Sequence, residues 1–142
     1  MILLDANVLL YASNELAPQH QRCAAWLEDA FAANDRVGIP WESLLAFVRI
    51  ATNARALARP LSTTEAWERV EEWLDLDGVW CPTPTETHQR TLGRLLRASR
   101  ATGNLVSDAH LAALAIDHGL TLVSTDADFA AFPGLRWQNP LR

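Results

Sequence analysis

Acidic side chains recur in this sequence where short apolar runs give way to helical patterns. The positions are Asp5 after residues 2–4, Glu42 after 37–39, Asp108 after 105–106, and Asp126 after 120–123, with Asp128 two residues further on. In a parallel sheet, strand ends of one kind lie along a single edge, which is where open α/β sheets bind their ligands. We therefore expect these side chains to converge in one crevice, although they lie far apart in the chain.

Carboxylates that share a crevice repel one another, and the pKa of at least one rises unless a cation balances their charge. Oxygen ligands favour Mg²⁺ or Mn²⁺ over zinc. Such an ion lowers the pKa of an attacking water and neutralises the transition state of phosphodiester hydrolysis. The alternative for a single acid such as Asp5 is an N-cap, in which the carboxylate accepts a hydrogen bond from the following helix. Capping alone does not explain acids at four junctions.

Short apolar runs alternate with helical patterns, which predicts a mostly parallel sheet with helices on both faces. The predicted strands are residues 2–4, 36–39, 79–81, 120–123 and 135–137, and the pair 105–106 marks a further strand end before Asp108. Helices are predicted after Asp5 and over residues 19–33, 41–53, 64–75, 85–102 and 108–118, with Ser62 or Thr63 and then Thr85 as N-caps. Helical spacing predicts that the buried face of helix 41–53 is formed by Leu44, Leu45, Phe47, Val48 and Ala51. It predicts that the buried face of helix 64–75 is formed by Trp67, Val70 and Leu74.

The composition is that of a globular protein. The chain has 142 residues, of which 49% are hydrophobic, and fits one domain spanning residues 1–142 with a sizeable core. No apolar run approaches the ~18 residues of a membrane helix, and the N-terminus lacks the basic region of a signal peptide. Cys23 and Cys81 lie far apart, without a CxxC motif. These features predict free thiols in the reducing environment of the cytoplasm, and no membrane association.

The net charge of −5 argues against a nucleic-acid partner until its distribution is considered. Residues 65–77 contain six acids and one arginine, which leaves eleven of the 17 acids and eleven of the 12 basic residues for the rest of the chain. If several of these remaining acids hold cations, the surface outside 65–77 is effectively basic. Every basic residue is arginine, which suits bidentate phosphate contact, although a GC-rich genome produces the same bias.

Four segments resemble the PIN-domain ribonucleases, and most closely the VapC-type toxins of bacterial toxin–antitoxin pairs. They are LLDANVLLYA at 3–12, the Glu42-Ser43 pair after Pro40, NLVSDAHLAALA at 104–115 and LVSTDADF at 122–129. The resemblance implies a PIN-like three-layer α/β/α sandwich and a Mg²⁺-dependent endoribonuclease, with Mn²⁺ as the alternative ion. It also implies an RNA substrate (tRNA, rRNA or mRNA), a homodimer, and inhibition by a cognate VapB-type antitoxin.

The same resemblance assigns roles to individual residues. The four catalytic and metal-binding acids of the family fall on Asp5, Glu42, Asp108 and Asp126, and Asp128 is a further candidate ligand because the family varies at this turn. Two polar positions that support the site in the family fall on Asn7 and Ser124.

Arginines on the predicted helix 85–102 offer a contact surface for RNA. Arg90, Arg94 and Arg97 recur at i, i+4 and i+7, so they form either a track for the RNA backbone, with salt-sensitive binding, or a solvated helix face. A second group that would line the crevice or meet the antitoxin comprises Arg49, Arg55 and Arg59.

The four histidines show no shared metal-ligand spacing and are predicted to be surface or packed residues. His110 lies two residues beyond Asp108, which places it on a different face of the predicted helix. The six tryptophans are predicted to belong to the core or to a dimer surface rather than to platforms for base stacking.

Two other functions fit part of the pattern. An aspartyl-phosphate phosphatase or receiver module also carries Asp after its first strand, but those families need a lysine near the acid, and this chain has no lysine. A degenerate PIN scaffold would bind RNA or protein without cleavage. Retention of all four acids argues against that alternative, because an idle carboxylate cluster lowers stability through repulsion.

Overall fold

The computed structural model describes residues 1–33 and 36–142, and a five-stranded sheet lies at its centre. The strands are β1 (Ile2–Leu4), β2 (Val37–Gly38), β3 (Val79–Trp80), β4 (Thr121–Val123) and β5 (Trp137–Gln138), in the order β3-β2-β1-β4-β5. All four pairings are parallel, and in the central strand Leu3 pairs with Gly38 on one side and Leu122 on the other. The predicted parallel sheet is confirmed.

Within residues 1–33 and 36–142, six α-helices cover the two faces of this sheet. They are α1 (Ala6–Ser13), α2 (His20–Ala33), α3 (Trp41–Ala51), α4 (Thr63–Leu74), α5 (His88–Ser99) and α6 (Asn104–His118), and a 3₁₀ turn spans Ala127–Ala131. Side chains alternate along β1, so Ile2 and Leu4 enter the core beneath α1–α4, whereas Leu3 enters the core beneath α5 and α6. This arrangement is the predicted three-layer α/β/α sandwich.

Two features of the chain bear on its environment. Cys23 is buried and Cys81 is partly buried, and neither thiol is in a disulfide in the described part of the chain. Among residues 1–33 and 36–142, the helices are too short or too polar to cross a bilayer.

The strand end predicted before Asp108 is wrong. Helix α6 begins at Asn104, so Leu105 and Val106 are helical and Asp108 lies in the second turn. Gly103, with a φ of 58°, takes the N-cap position in a backbone conformation that favours glycine, and this turn starts the helix four residues earlier than predicted.

Helix α5 is shorter than predicted at both ends. It starts at His88 rather than Thr85, whose hydroxyl instead donates to Asp117 Oδ2 at 3.1 Å. It ends at Ser99 because Arg100 adopts the left-handed conformation, with a φ of 53°, and terminates the helix before Thr102.

The buried face of α4 differs from the predicted one. Its buried residues are Ala66, Val70 and Trp73, so Val70 alone was assigned correctly as fully buried. Trp67 is 41% exposed and stacks on Trp41 of α3, with ring centroids 6.3 Å apart. Trp67 is adjacent to Ala66 in sequence and therefore lies about 100° away around the helix, outside the narrow stripe that faces the core.

Two smaller differences concern α3 and the last strand. Leu45 was assigned to the buried face of α3 but is 58% exposed, because the side of α3 that packs on the core carries Leu44, Phe47, Val48 and Ala51. Strand β5 begins at Trp137 rather than Leu135, because its pairing with β4 joins Leu122 to Trp137.

Candidate metal centre

Asp5 follows β1 and occupies the N-cap of α1. Its Oδ1 accepts the backbone N–H of Ala6 at 2.8 Å, so the capping alternative is observed. Its Oδ2 accepts the hydroxyl of Ser124 at 2.7 Å and the amide of Asn7 at 3.3 Å. A carboxylate has about four lone-pair directions, so these three bonds leave capacity for a cation. Capping and metal binding are therefore compatible at Asp5.

Ser124 and Asn7 connect the end of β4 to the end of β1. Ser124 is fully buried, and besides donating to Asp5 its hydroxyl accepts from Asn7 Nδ2 at 3.0 Å and from the backbone N–H of Asp126 at 3.1 Å. The side-chain oxygen of Asn7, Oδ1, accepts the backbone N–H of Thr125 at 3.2 Å. This network fixes Asp5 relative to the turn that follows β4.

Three carboxylates form a close group beside this network. Oxygens of Asp108, Asp126 and Asp128 all lie within 4.8 Å of one another. Asp126 also accepts the backbone N–H of Asp128 at 2.9 Å, which shapes the turn so that both acids approach Asp108. The sequence left Asp126 and Asp128 as alternatives, and the structure places both beside the acid on α6.

Asp108 also lies with Asp5 and Glu42 in the wall of a cavity of about 440 Å³. Glu42 enters this wall from the first turn of α3, after β2 and Pro40. The remaining lining residues are Ser43, Ala46, Arg49, Leu92, Val106, Ser107, His110 and Leu111. Asp108 is thus common to the cavity and to the close group of three, although α6 rather than a strand end supplies it.

The electrostatics of the cluster are those of concentrated negative charge. Burial, and then the carboxylates of Asp126, Asp5 and Asp128, raise the pKa of Asp108 to about 6. Burial is also the main cause that raises the pKa of Asp5, and Asp126 adds to it, while the bonds from Ser124 and Ala6 act in the opposite direction. Protons would relieve this repulsion, and so would a divalent cation. The close donors are all oxygen, so the residues present fit Mg²⁺ or Mn²⁺.

His110 reaches the site, contrary to the sequence-based prediction. It lines the same cavity as Asp108, and its Nε2 lies 3.0 Å from Glu42 Oε1. Positions two apart in sequence point about 200° apart around a helix. Both Asp108 and His110 nevertheless line the cavity, because α3 and α5 complete its wall around the start of α6. Glu42 and His110 are 68 positions apart, and no local pattern signals their contact.

The arginines separate into two groups. Arg49 lies seven residues after Glu42 on α3 and lines the cavity, and the described residues form no ion pair with its guanidinium. Arg90, Arg94 and Arg97 are exposed on α5 and are absent from the described cavity wall, and Arg94 donates to the Pro133 carbonyl at 3.4 Å.

Comparison with known proteins gives four further findings. Residues 2–135 match the family model described as PIN domain. Ribonuclease VapC37 of Mycobacterium tuberculosis is 44% identical over 140 residues, which cover 99% of this chain and 97% of that protein. Among solved structures, VapBC2 from Rickettsia felis, bound to a promoter DNA fragment, has a TM-score of 0.69 at 20% identity and covers 98% of both chains. A toxin–antitoxin complex from Klebsiella pneumoniae has a TM-score of 0.64 at 18% identity and covers 99% of this chain and 98% of the other.

Proposed function

This chain belongs to the PIN-domain family, with VapC ribonucleases among its relatives, and on that premise we propose that it is a metal-dependent endoribonuclease. The observation that carries the proposal is the convergence of acids around Asp108. Asp126 and Asp128 lie in one close carboxylate group with it, and Asp5 and Glu42 share its cavity. Asp5 and Asp126 also act as N-caps, but capping does not explain why Asp108 lies beside them, and a divalent cation would balance the charge that these four segments bring together.

Mg²⁺ is the ion that we propose, with Mn²⁺ as its functional substitute. Asp108, Asp126 and Asp128 would hold it, and Asp5 and Glu42 would bind it directly or through water. When bound, the ion activates a water molecule and stabilises charge on the phosphate in the transition state. Mg²⁺ keeps several waters and is often completed by substrate phosphates, so an open cavity that accepts RNA suits it better than a closed cage.

The other residues of the site position this machinery. Ser124 and Asn7 hold Asp5 in one orientation, so the carboxylate needs little reorganisation when the ion binds. Arg49, whose guanidinium is free of ion pairs with the described residues, would contact a backbone phosphate of the bound RNA. Arg90, Arg94 and Arg97 would extend the contact as an outer track, which stays a prediction.

A VapB-type antitoxin is the proposed protein partner, because a toxin–antitoxin complex shares this fold. We also propose that the chain forms a homodimer. The exposed apolar patch formed by Trp41, Leu45 and Trp67 is the surface that pairing would bury. An RNA substrate and free thiols both suit a cytoplasmic location.

Cleavage of labelled RNA by the purified protein tests the proposal. Wild type should cleave with Mg²⁺ and not with EDTA, and Asp108→Asn should abolish cleavage. Glu68→Gln is the matched control, because it removes an exposed acid of α4 outside the cavity wall and should cleave normally. RNA binding without cleavage in the presence of Mg²⁺ would instead identify a scaffold that only binds.

A further inference from the structure

Glu42 ends a chain of hydrogen bonds that runs through two imidazoles. His88 Nε2 lies 3.0 Å from His110 Nδ1, and His110 Nε2 lies 3.0 Å from Glu42 Oε1. The two rings meet edge to face, with centroids 4.8 Å apart and an interplanar angle of 79°. We propose that His110, itself oriented by His88, is a positioning residue that holds the Glu42 carboxylate ready for the metal. This inference rests on the metal centre of the proposed function.

The unpartnered nitrogen at the far end sets the direction of this chain. His88 Nδ1 is buried and has no hydrogen-bond partner among residues 1–33 and 36–142. A buried N–H without a partner is rare and costly, so this nitrogen carries a lone pair and the proton is on Nε2. Burial, followed by the neighbouring His110, lowers the pKa of His88, which agrees with a neutral ring at pH 7. His88 therefore donates to His110.

The second link follows from the first. His110 Nδ1 accepts the proton of His88, so the proton of His110 is on Nε2, where it donates to Glu42 Oε1. The opposite direction would require a proton on the unpartnered Nδ1 of His88. A histidine with one partner exchanges freely between tautomers, whereas His110 with two partners is held in one.

In the part of the chain that the structure describes, Glu42 lacks the backbone hydrogen bonds that fix Asp5 and Asp126, and therefore depends more on such a partner than they do. Asp5 and Asp126 are fixed by backbone N–H groups, whereas His110 is the one hydrogen-bond partner of the Glu42 carboxylate within the described ranges. The Glu42 side chain is 46% exposed, and its longer stem has more rotamer freedom to lose on binding. Residue 40, at the N-cap of α3, is proline and supplies no side-chain cap. His110 therefore limits the motion of an otherwise mobile ligand.

Direct titration of the metal-free protein with Mn²⁺, followed by electron paramagnetic resonance, tests this role without an activity assay. His110→Phe keeps a ring but loses the donor, and should weaken Mn²⁺ binding by roughly 10–100-fold, the usual effect of losing a residue that orients a ligand. His110→Gln restores an N–H near the position of Nε2 and should recover most of the affinity. His88→Phe leaves His110 in place but frees its tautomer, so a smaller loss is expected.

His118→Phe is the matched control, because this histidine also packs against an aromatic ring and its Nε2 also donates to an oxygen, the Thr83 carbonyl. It does not line the described cavity, and Mn²⁺ affinity should be unchanged. Wild-type affinity in a folded His110→Phe variant would overturn the inference. If Asp108→Asn also binds Mn²⁺ normally, the metal centre of the proposed function fails as well, so the two failures are distinguishable.

Nitrogen-15 NMR of the imidazole rings in the unmodified, metal-free protein is an independent test that needs no variant to fold. The inference requires protons on Nε2 of both His88 and His110 at neutral pH. A His110 ring that carries its proton on Nδ1 and none on Nε2 cannot donate to Glu42, and that result would refute the positioning role.

Discussion

Replacing Asp108 by asparagine should stabilise the metal-free protein while it abolishes cleavage. No other described residue forms a hydrogen bond with the Asp108 side chain, so the amide displaces no partner. The substitution removes a negative charge that lies beside the carboxylates of Asp126, Asp128 and Asp5. Burial is the largest cause of the raised pKa of Asp108, and these three carboxylates raise it further. The variant therefore separates a loss of function from a loss of fold.

The size of this effect follows from the pKa. A rise in the pKa of Asp108 from 3.8 to about 6 means that ionising it costs more in the folded than in the unfolded state. At about 1.4 kcal/mol per pKa unit, this extra cost would be about 3 kcal/mol if the side chain were fully buried. The side chain is only partly buried, and solvent screening reduces the expected gain to roughly 1 kcal/mol. For a chain of this size, that gain raises the Tm by roughly 4 °C.

The sign also fixes the pH dependence. A carboxyl group whose pKa is higher in the folded than in the unfolded protein stabilises the folded state while it is protonated. For Asp108, this contribution to the free energy of unfolding is fully present below pH 3.8 and is lost as the pH rises through about 6. In EDTA, the Tm advantage of Asp108→Asn should thus be small at pH 4 and full at pH 7.5. Added Mg²⁺ should then raise the Tm of the wild type and leave the variant nearly unchanged.

Thermal melts in EDTA at the two pH values, compared with Asp5→Asn, test this reasoning. Asp5→Asn also removes a charge, but it places an amide where Ala6, Ser124 and Asn7 all donate, and an unpaired buried donor costs about 1–3 kcal/mol. It should melt below Asp108→Asn. A lower Tm for Asp108→Asn than for wild type at pH 7.5, or a difference independent of pH, would refute the account of repulsion.

Three further predictions concern other parts of the molecule. Arg49→Ala should raise KM for RNA and reduce the slope of log affinity against log salt by about one. Arg22→Ala removes an exposed arginine of α2 outside the cavity wall and should change neither quantity; equal effects of the two variants would remove Arg49 from the site. Ser124→Ala should cost about 1–3 kcal/mol in urea unfolding, because it leaves the partners of a fully buried hydroxyl unpaired, and an unchanged midpoint would count against the network. Trp67→Glu should convert a dimer to a monomer in sedimentation equilibrium, and a dimer that persists would place the interface elsewhere.

Features with local signals were predictable from the sequence. The apolar run of β1 followed by Asp5 gave a correct strand, turn and helix, because three buried residues and an N-cap are encoded by neighbours. Ser62 and Thr63 were both predicted as candidate N-caps of the acidic helix, and the structure selects Ser62, which forms a capping box in which Ser62 and Glu65 satisfy each other's backbone N–H groups.

Features that depend on distant contacts or on unusual backbone were not predictable. Gly103 starts α6 through a positive φ, and no apolar pattern shows that Leu105 belongs to a helix rather than a strand. The contact of Glu42 with His110 joins residues 68 positions apart, and it forms only because the fold brings the starts of α3 and α6 together in one cavity wall. Helical spacing alone cannot decide which of several apolar stripes meets the core, which is why Trp67 was assigned to the wrong side.

Anomalous diffraction from crystals grown with Mn²⁺ tests the central claim most directly. If these acids jointly bind a metal, a peak should lie between the carboxylates of Asp108, Asp126 and Asp128, with Asp5 and Glu42 facing it across the cavity. At a Mn²⁺ concentration that supports RNA cleavage, an anomalous map without a peak at this position would contradict the claim.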